Sequence, residues 1–174
     1  MKRKHRGDSG FTDLYCRGRV LKDDIRCEVC GTLDELSAFL GLARSVIKHK
    51  KIKKIIERIQ KDLILMSTEL VTEKDKIALL KERVGKMHVG YLDDIIEELG
   101  NNLPEKFVIF GKKTTSSLLN VARTITRRAE RRLVTLKKKD LLLNNSIAIY
   151  MNRLSDLLFV LSIYEEQGGK RGGV

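Results

Sequence analysis

The run Arg123-Thr-Ile-Thr-Arg127-Arg128-Ala-Glu130-Arg131 concentrates the groups in this sequence most able to do chemistry. On a helix turning about 100° per residue, Arg123, Arg127 and Arg131 share a sector about 80° wide. Glu130 and Asn120 fall beside them, and the apolar positions fall on the far side. Like charges four residues apart repel by roughly a few tenths of a kcal/mol per pair, so such a stripe suits a place where anions neutralise it. Arginine fits that task because its planar guanidinium grips phosphate or carboxylate through paired N–H donors. The plainer reading is a solvated basic face, like Lys137-Lys138-Lys139. Arginine at all three positions, with no lysine mixed in, favours an anion-binding stripe.

A second constellation is Asn152-Arg153-Leu-Ser-Asp156. Asn152 and Asp156 stand one turn apart on a segment that is otherwise apolar. They are expected to be buried, and buried polar groups need partners. They either tie helices together, or Asn152 bonds a ligand while Asp156 orients a nearby arginine. The third is Arg6-Gly7-Asp8-Ser9-Gly10-Phe11-Thr12, followed by Lys22-Asp23-Asp24. Glycines let a backbone close on phosphate oxygens, and hydroxyls and a lysine can add to the grip. The stretch matches neither GxxxxGK[ST] nor a post-strand GxGxxG.

No Ser-His-Asp or Cys-His set stands out as a nucleophile with its base. Cys16, Cys27 and Cys30 make an odd count, against a disulfide framework. Cys27-x-x-Cys30 has no second ligand pair, and His5, His49 and His88 are scattered, so no metal site is assigned to protein side chains.

These groups need elements to hold them. Apolar residues make up 42% of the 174, aromatics only 5%, and there is a single Pro, which points to an aliphatic core built from long helices. Thr32 and Glu35 read as a capping box opening a helix with Leu33, Leu36, Leu40, Ala43 and Ile47 inside. A second helix carries Ile52, Ile55, Ile56, Ile59, Leu63, Met66 and Leu70. A third carries Val84, Met87, Tyr91, Ile95 and Leu99 and stops at Gly100, with Pro104 beyond. The fourth spans about Thr114 to Lys138, with Leu118, Ala122, Ile125, Ala129, Leu133 and Leu136 inward. The fifth spans about Asn145 to Glu166 and is apolar nearly all round, the mark of a central or interface helix. No segment alternates with period two. The expected fold is therefore all-α, a single-domain bundle of about five helices over residues 1–174, with 1–22 as an N-terminal loop and 168–174 as a disordered tail. No run of about 18 apolar residues marks a membrane span, and the start lacks a signal peptide, so the cytoplasm is the expected compartment. The net charge of +12 calls for anionic partners without choosing among them.

Together these motifs resemble the ATP:cob(I)alamin adenosyltransferases of the propanediol-utilisation type. The resemblance runs in order through Gly7–Thr12, Lys22–Asp24, Gly31-Thr32-Leu33-Asp34-Glu35-Leu36-Ser37, Phe107, Ala122–Arg131 and Tyr150–Phe159. It implies a ferritin-like helical bundle assembled as a homotrimer, with active sites between subunits. It implies ATP, magnesium on the ATP phosphates, and cobalamin as substrate. The ATP loop would then use Arg6, Gly7, Asp8 and Thr12, with Lys22 on the phosphates. Arg127 would be the principal triphosphate ligand, supported by Arg128, Glu130 and Arg131, and Asn152 would contact the nucleotide. Asp34 and Arg123 would bridge subunits beside the corrinoid. Phe107 would lie under the corrin and help displace its lower axial base, so Arg127 and Phe107 carry the catalytic roles. A cobalamin reductase and an adenosylcobalamin-dependent enzyme are the implied protein partners, with no nucleic acid and no membrane. The sequence departs from the usual family pattern at Arg3–Arg6, at Phe110-Gly111-Lys112 and at Asn120. Two other readings stand beside this one: a basic helical nucleic-acid-binding protein, and a non-catalytic corrinoid or nucleotide sensor on the same fold.

Overall fold

The computed structural model describes residues 7–14, 18–100, 103–104 and 106–168. Arg6 and residues 169–174 of the tail lie outside the described residues. The described chain forms a hairpin of β1 (Phe11–Asp13) and β2 (Arg19–Leu21), then α1 (Ile25–Val46), α2 (Lys50–Val71), a 3-10 helix (Lys74–Leu79), α3 (Lys86–Leu99), α4 (Thr114–Lys138) and α5 (Asn145–Glu166). Neither α4 nor α5 contains Gly or Pro, and each runs as periodicity predicts.

Three expectations need correction. The 1–22 region is not loop throughout. Its strands pair antiparallel with Thr12 opposite Val20, but three residues each are too few to show alternation. The first helix begins well before Thr32. Asp24 caps it by accepting from the Arg26 N–H, and the Thr32 hydroxyl back-bonds to the Glu28 carbonyl at 2.6 Å, inside the helix. Finally, α5 does have the length and mean hydropathy to cross a membrane. Its burial against α4 and α3 is that of a core helix.

The helices pack in the sequence α2, α1, α4, α5, α3. Buried Leu, Ile, Val and Ala from all five fill the centre. In α4 the inward stripe is Leu119, Ala122, Ile125, Ala129, Leu133 and Leu136, with Leu118 only half-buried. The Tyr150 hydroxyl on α5 donates to Asp62 Oδ2 on α2 at 2.9 Å, closing the ring of helices. Arg58 pairs with the other carboxylate oxygen at 3.1 Å. Burial pushes the Asp62 carboxyl above its ordinary value. Burial, reinforced by the Asp62 charge, pushes the Tyr150 phenol well above its own.

Candidate functional site

Register between α1 and α4 sorts the arginines. Arg132 reaches the first turn of α1, pairing with Glu28 Oε2 at 2.8 Å and donating to the Glu28 carbonyl at 3.0 Å and to the Thr32 hydroxyl. Arg128 pairs with Glu35, two turns further along α1 on the same face. Its Nε is buried without a partner among the described residues. Arg123 is half-buried and donates from Nε to Asn120 Oδ1 at 2.9 Å. Arg127 and Arg131 are exposed, and neither side chain has a partner among the described residues. Glu130 lies half-buried beside them. One face of α4 thus presents two adjacent free guanidiniums on a helix that two ion pairs lock to α1.

Sequence reading missed the locking residues Glu28, Glu35 and Arg132. Their spacing carried a signal: Glu28 and Glu35 are seven residues apart and Arg128 and Arg132 four, so each pair shares a helix face.

The hairpin comes next. The Gly10 N–H returns to the Gly7 carbonyl at 3.3 Å, and the Lys22 N–H to the Gly10 carbonyl at 2.9 Å. Gly10 has φ +78°, a left-handed value that favours glycine. The loop therefore closes on itself and brings Lys22 over Gly7, where a Cβ would stand 3.3 Å from the ammonium. Asp8 is exposed and Thr12 half-exposed. Asp24 holds the loop to α1 through a fork onto Arg26, with Nε to Oδ1 at 2.8 Å. Because Arg132 bonds the first turn of α1, the hairpin's base sits at the Arg131 end of the α4 face.

A third group gathers where α4 begins. Phe107, fully exposed, lines a cavity of about 340 Å³ with Lys106, Val108, Phe110, Arg123 and Phe159. Phe110 meets Phe159 edge-on, with centroids 6.4 Å apart. Arg123 thereby links the arginine face to an aromatic cavity.

Not every expected residue joins these groups within the single chain. Asn152 and Asp156 are exposed, contrary to the buried placement expected for them, because α5 leaves one face open at those positions. Arg153 pairs chiefly with Asp93, at 2.7 Å, and only weakly with Asp156, at 3.9 Å. Asn152 has no hydrogen bond to Arg127 or Arg131 among the described residues. Asp34 is exposed and makes no ion pair with Arg123. Among the described residues no three His, Cys, Asp or Glu converge as a metal-binding set. Cys30 donates to the Ser67 carbonyl, and burial pushes its thiol up to about 12; Cys27 is raised as well. Neither is poised to act as a thiolate.

What remains is a helix face with two unpartnered guanidiniums, a lysine-bearing glycine loop at one end and an aromatic cavity at the other. Such an arrangement offers donors suited to a polyphosphate beside an apolar surface suited to a large ring.

A family model described as cobalamin adenosyltransferase matches residues 3–165. A corrinoid adenosyltransferase of Citrobacter freundii is 38% identical over 162 residues, covering 92% of each chain. Among solved structures, a variant PduO-type ATP:co(I)rrinoid adenosyltransferase from Lactobacillus reuteri, complexed with ATP, superposes with a TM-score of 0.84 at 30% identity, covering 93% of this chain and 92% of that one. Another variant PduO-type enzyme from that organism, complexed with cobalamin and ATP, gives a TM-score of 0.83 at 31% identity over 93% of this chain and 91% of that one.

Proposed function

The chain belongs to the cobalamin adenosyltransferase family, and from that premise we propose how its residues carry the reaction: transfer of the 5′-deoxyadenosyl group of ATP to cob(I)alamin, forming adenosylcobalamin and releasing triphosphate. The observation that carries this reading is the free Arg127–Arg131 face, in a chain whose relatives of matching fold hold ATP and cobalamin together.

Reduced cobalt is itself a strong nucleophile, so the protein need not provide one, in keeping with its raised thiols. The protein's work is to aim and to stabilise. Holding the ATP 5′ carbon in line with cobalt replaces a costly encounter by a positioned one, worth several kcal/mol. The departing triphosphate gains charge in the transition state. Arg127 and Arg131 grip it from α4, and Lys22 closes over it from the hairpin with Gly7, Asp8, Thr12 and, ahead of them, Arg6. A donor placed on such charge contributes about 3–4 kcal/mol. Arg128 and Glu130 steady the arginine face, with Arg128 anchored on Glu35. Magnesium, if carried in on the ATP phosphates, would add positive charge beside Arg127, Arg131 and Lys22 and so help stabilise the leaving group. Phe107 presents an apolar ring to the lower face of cobalt, disfavouring an axial ligand there and easing reduction of Co(II) to Co(I).

Among the described residues Asp34 has no ion pair, and Asn152 and Phe107 face out. That supports a homotrimer in which Asp34 meets Arg123 of a neighbouring copy and Asn152 reaches a nucleotide held across the interface. The unpaired Cys27 and Cys30 suit a reducing cytoplasm. A cobalamin reductase upstream and an adenosylcobalamin-dependent enzyme downstream follow from the substrate and the product.

The test is direct. Purified protein mixed with ATP, magnesium and chemically reduced cobalamin should develop the adenosylcobalamin spectrum. Absence of that spectrum, with ATP bound, would leave only a sensor on this fold. Binding to nucleic acid that falls steeply with salt would instead favour the basic-surface alternative.

A further inference from the structure

We propose that Glu166, the last residue of α5, positions the Phe107 segment for catalysis. The inference rests on reading Phe107 as the corrin-facing residue. It concerns what holds that residue in place.

Phe107 is fully exposed, so no side-chain packing fixes its ring. Its placement depends on the backbone that carries it. On the C-terminal side that backbone turns at Gly111, whose φ of +138° is a conformation other residues rarely adopt. Around the turn, four contacts tie the chain to the last two turns of α5. The Lys112 N–H donates to Glu166 Oε1 at 3.3 Å. The buried Ser116 hydroxyl donates to Glu166 Oε2. The Lys113 ammonium donates to the Glu165 carbonyl at 3.0 Å. Phe110 rests edge-on against Phe159.

Two of the four contacts use a single carboxylate. The N-terminus of α4 has no cap of its own, since the side chain of Lys113 makes no capping bond. Glu166 clasps that end from another helix instead: it bonds the Lys112 N–H just ahead of α4 and the Ser116 hydroxyl in its first turn, bringing negative charge to the positive end of the helix. The Ser116 oxygen also lies 2.9 Å from the Lys113 carbonyl, but a hydroxyl has one proton, and the carboxylate is the stronger acceptor. One side chain therefore sets both where α4 starts and where the preceding turn leaves it. Phe107 and Arg123 line one cavity from opposite sides of that junction, so their separation depends on it. Lys22 is held by the hairpin, which Glu166 does not touch, and Arg127 stands about three turns along α4 from Ser116, where the ion pairs of Arg128 and Arg132 lock that helix to α1.

The full chain is tested with magnesium-ATP and cob(II)alamin, reading three quantities: ATP affinity, the spectroscopic fraction of four-coordinate Co(II), and turnover from cob(II)alamin with a reductant. Glu166→Ala should lower the four-coordinate fraction and cut turnover roughly ten- to a hundredfold, leaving ATP affinity unchanged. Glu166→Gln should restore most of both. Its amide oxygen can still accept from Lys112, and its NH₂ can donate to Ser116. A merely structural clasp would lower the melting temperature and leave the Co(II) signature of the folded enzyme alone. Unchanged signature and turnover in Glu166→Ala overturn the proposal, and so does a parallel loss of ATP affinity. Should Glu166→Ala fail to fold, Ser116→Ala, which removes one of the two bonds, decides. A wild-type signature there overturns the proposal, and a reduced signature at unchanged ATP affinity supports it. Phe107→Ala run alongside separates the two layers. If it leaves the signature intact, the reading of Phe107 fails; if it abolishes the signature while Glu166→Ala does not, only the positioning role fails.

Discussion

The Lys22 ammonium lies directly over Gly7, leaving no free space for a β-carbon there: one built on Gly7 would stand 3.3 Å from Nζ. The neighbour that must give is the far end of a flexible side chain. Gly7→Ala should therefore leave stability within about 0.5 kcal/mol of wild type while displacing the lysine from the loop mouth. If Lys22 binds the phosphates from this position, ATP affinity should fall about five- to tenfold, or roughly 1 kcal/mol. Calorimetric titration with ATP, paired with a melting curve, measures both. Wild-type affinity would place the working position of Lys22 elsewhere.

Arg127 offers a cleaner separation of function from fold. Its guanidinium is exposed and unpartnered among the described residues, so Arg127→Ala should melt like wild type. Turnover should drop about 10²- to 10³-fold if the side chain meets charge developing on the leaving triphosphate. Arg127→Lys keeps the charge but loses the planar fork, so it should fall between the two. Arg132→Ala should behave in the opposite way. That residue braces α4 on Glu28 and Thr32, and its loss should lower the melting temperature before it lowers activity. Wild-type turnover in Arg127→Ala would remove the α4 face from the mechanism.

The Tyr150–Asp62 bond bears on stability and on pH. Tyr150→Phe strips a buried carboxylate of one donor, leaving Arg58 as its ion-pair partner among the described residues. The expected cost at neutral pH is about 1–3 kcal/mol. In wild type the folded phenol titrates well above its ordinary 10.0, because of burial and then the charge of Asp62. A folded value above the unfolded one means that this stability is fully present below the unfolded pKa and is lost as pH climbs through it toward the folded value. The stability gap between wild type and Tyr150→Phe should thus be constant from neutral pH up to about pH 9 and shrink above about pH 10. Denaturant unfolding at a series of pH values checks this, and a gap that widens in alkali would contradict the assignment.

How much of this was legible beforehand depends on whether a residue's neighbours are close in sequence. The bounds of α4 and α5 follow from unbroken periodicity without Gly or Pro, and the outward turn of Arg127 and Arg131 follows from helical spacing alone. The start of α1 was misplaced because Thr32-x-x-Glu35 imitates a capping box, while the true cap is Asp24, whose partner Arg26 also serves as the fork that holds the loop. Asn152 and Asp156 were expected inside because their helix is apolar nearly all round, and composition does not say which turn a bundle leaves uncovered. Glu166 is invisible as a clasp on the start of α4: the fifty residues separating it from Ser116 close only when α5 packs back along α4.

Asp34 and Arg123 supply the test of assembly. Asp34 stands exposed on α1 with no ion pair, and Arg123 uses Nε on Asn120 while its remaining donors stay uncommitted among the described residues. If the two meet across a subunit boundary, reversing either charge sets like charges against each other there. Asp34→Arg or Arg123→Asp alone should weaken assembly by about 2 kcal/mol or more per interface, shifting light-scattering mass from trimer toward monomer at low micromolar protein. Combining them restores opposite charges at the same place, so the double variant should recover the trimer. Recovery distinguishes a direct pair from two residues that each support the fold, since independent defects would add. A double variant as dissociated as the worse single one would show that the pair does not form, and a wild-type protein that is monomeric throughout would remove the shared site altogether.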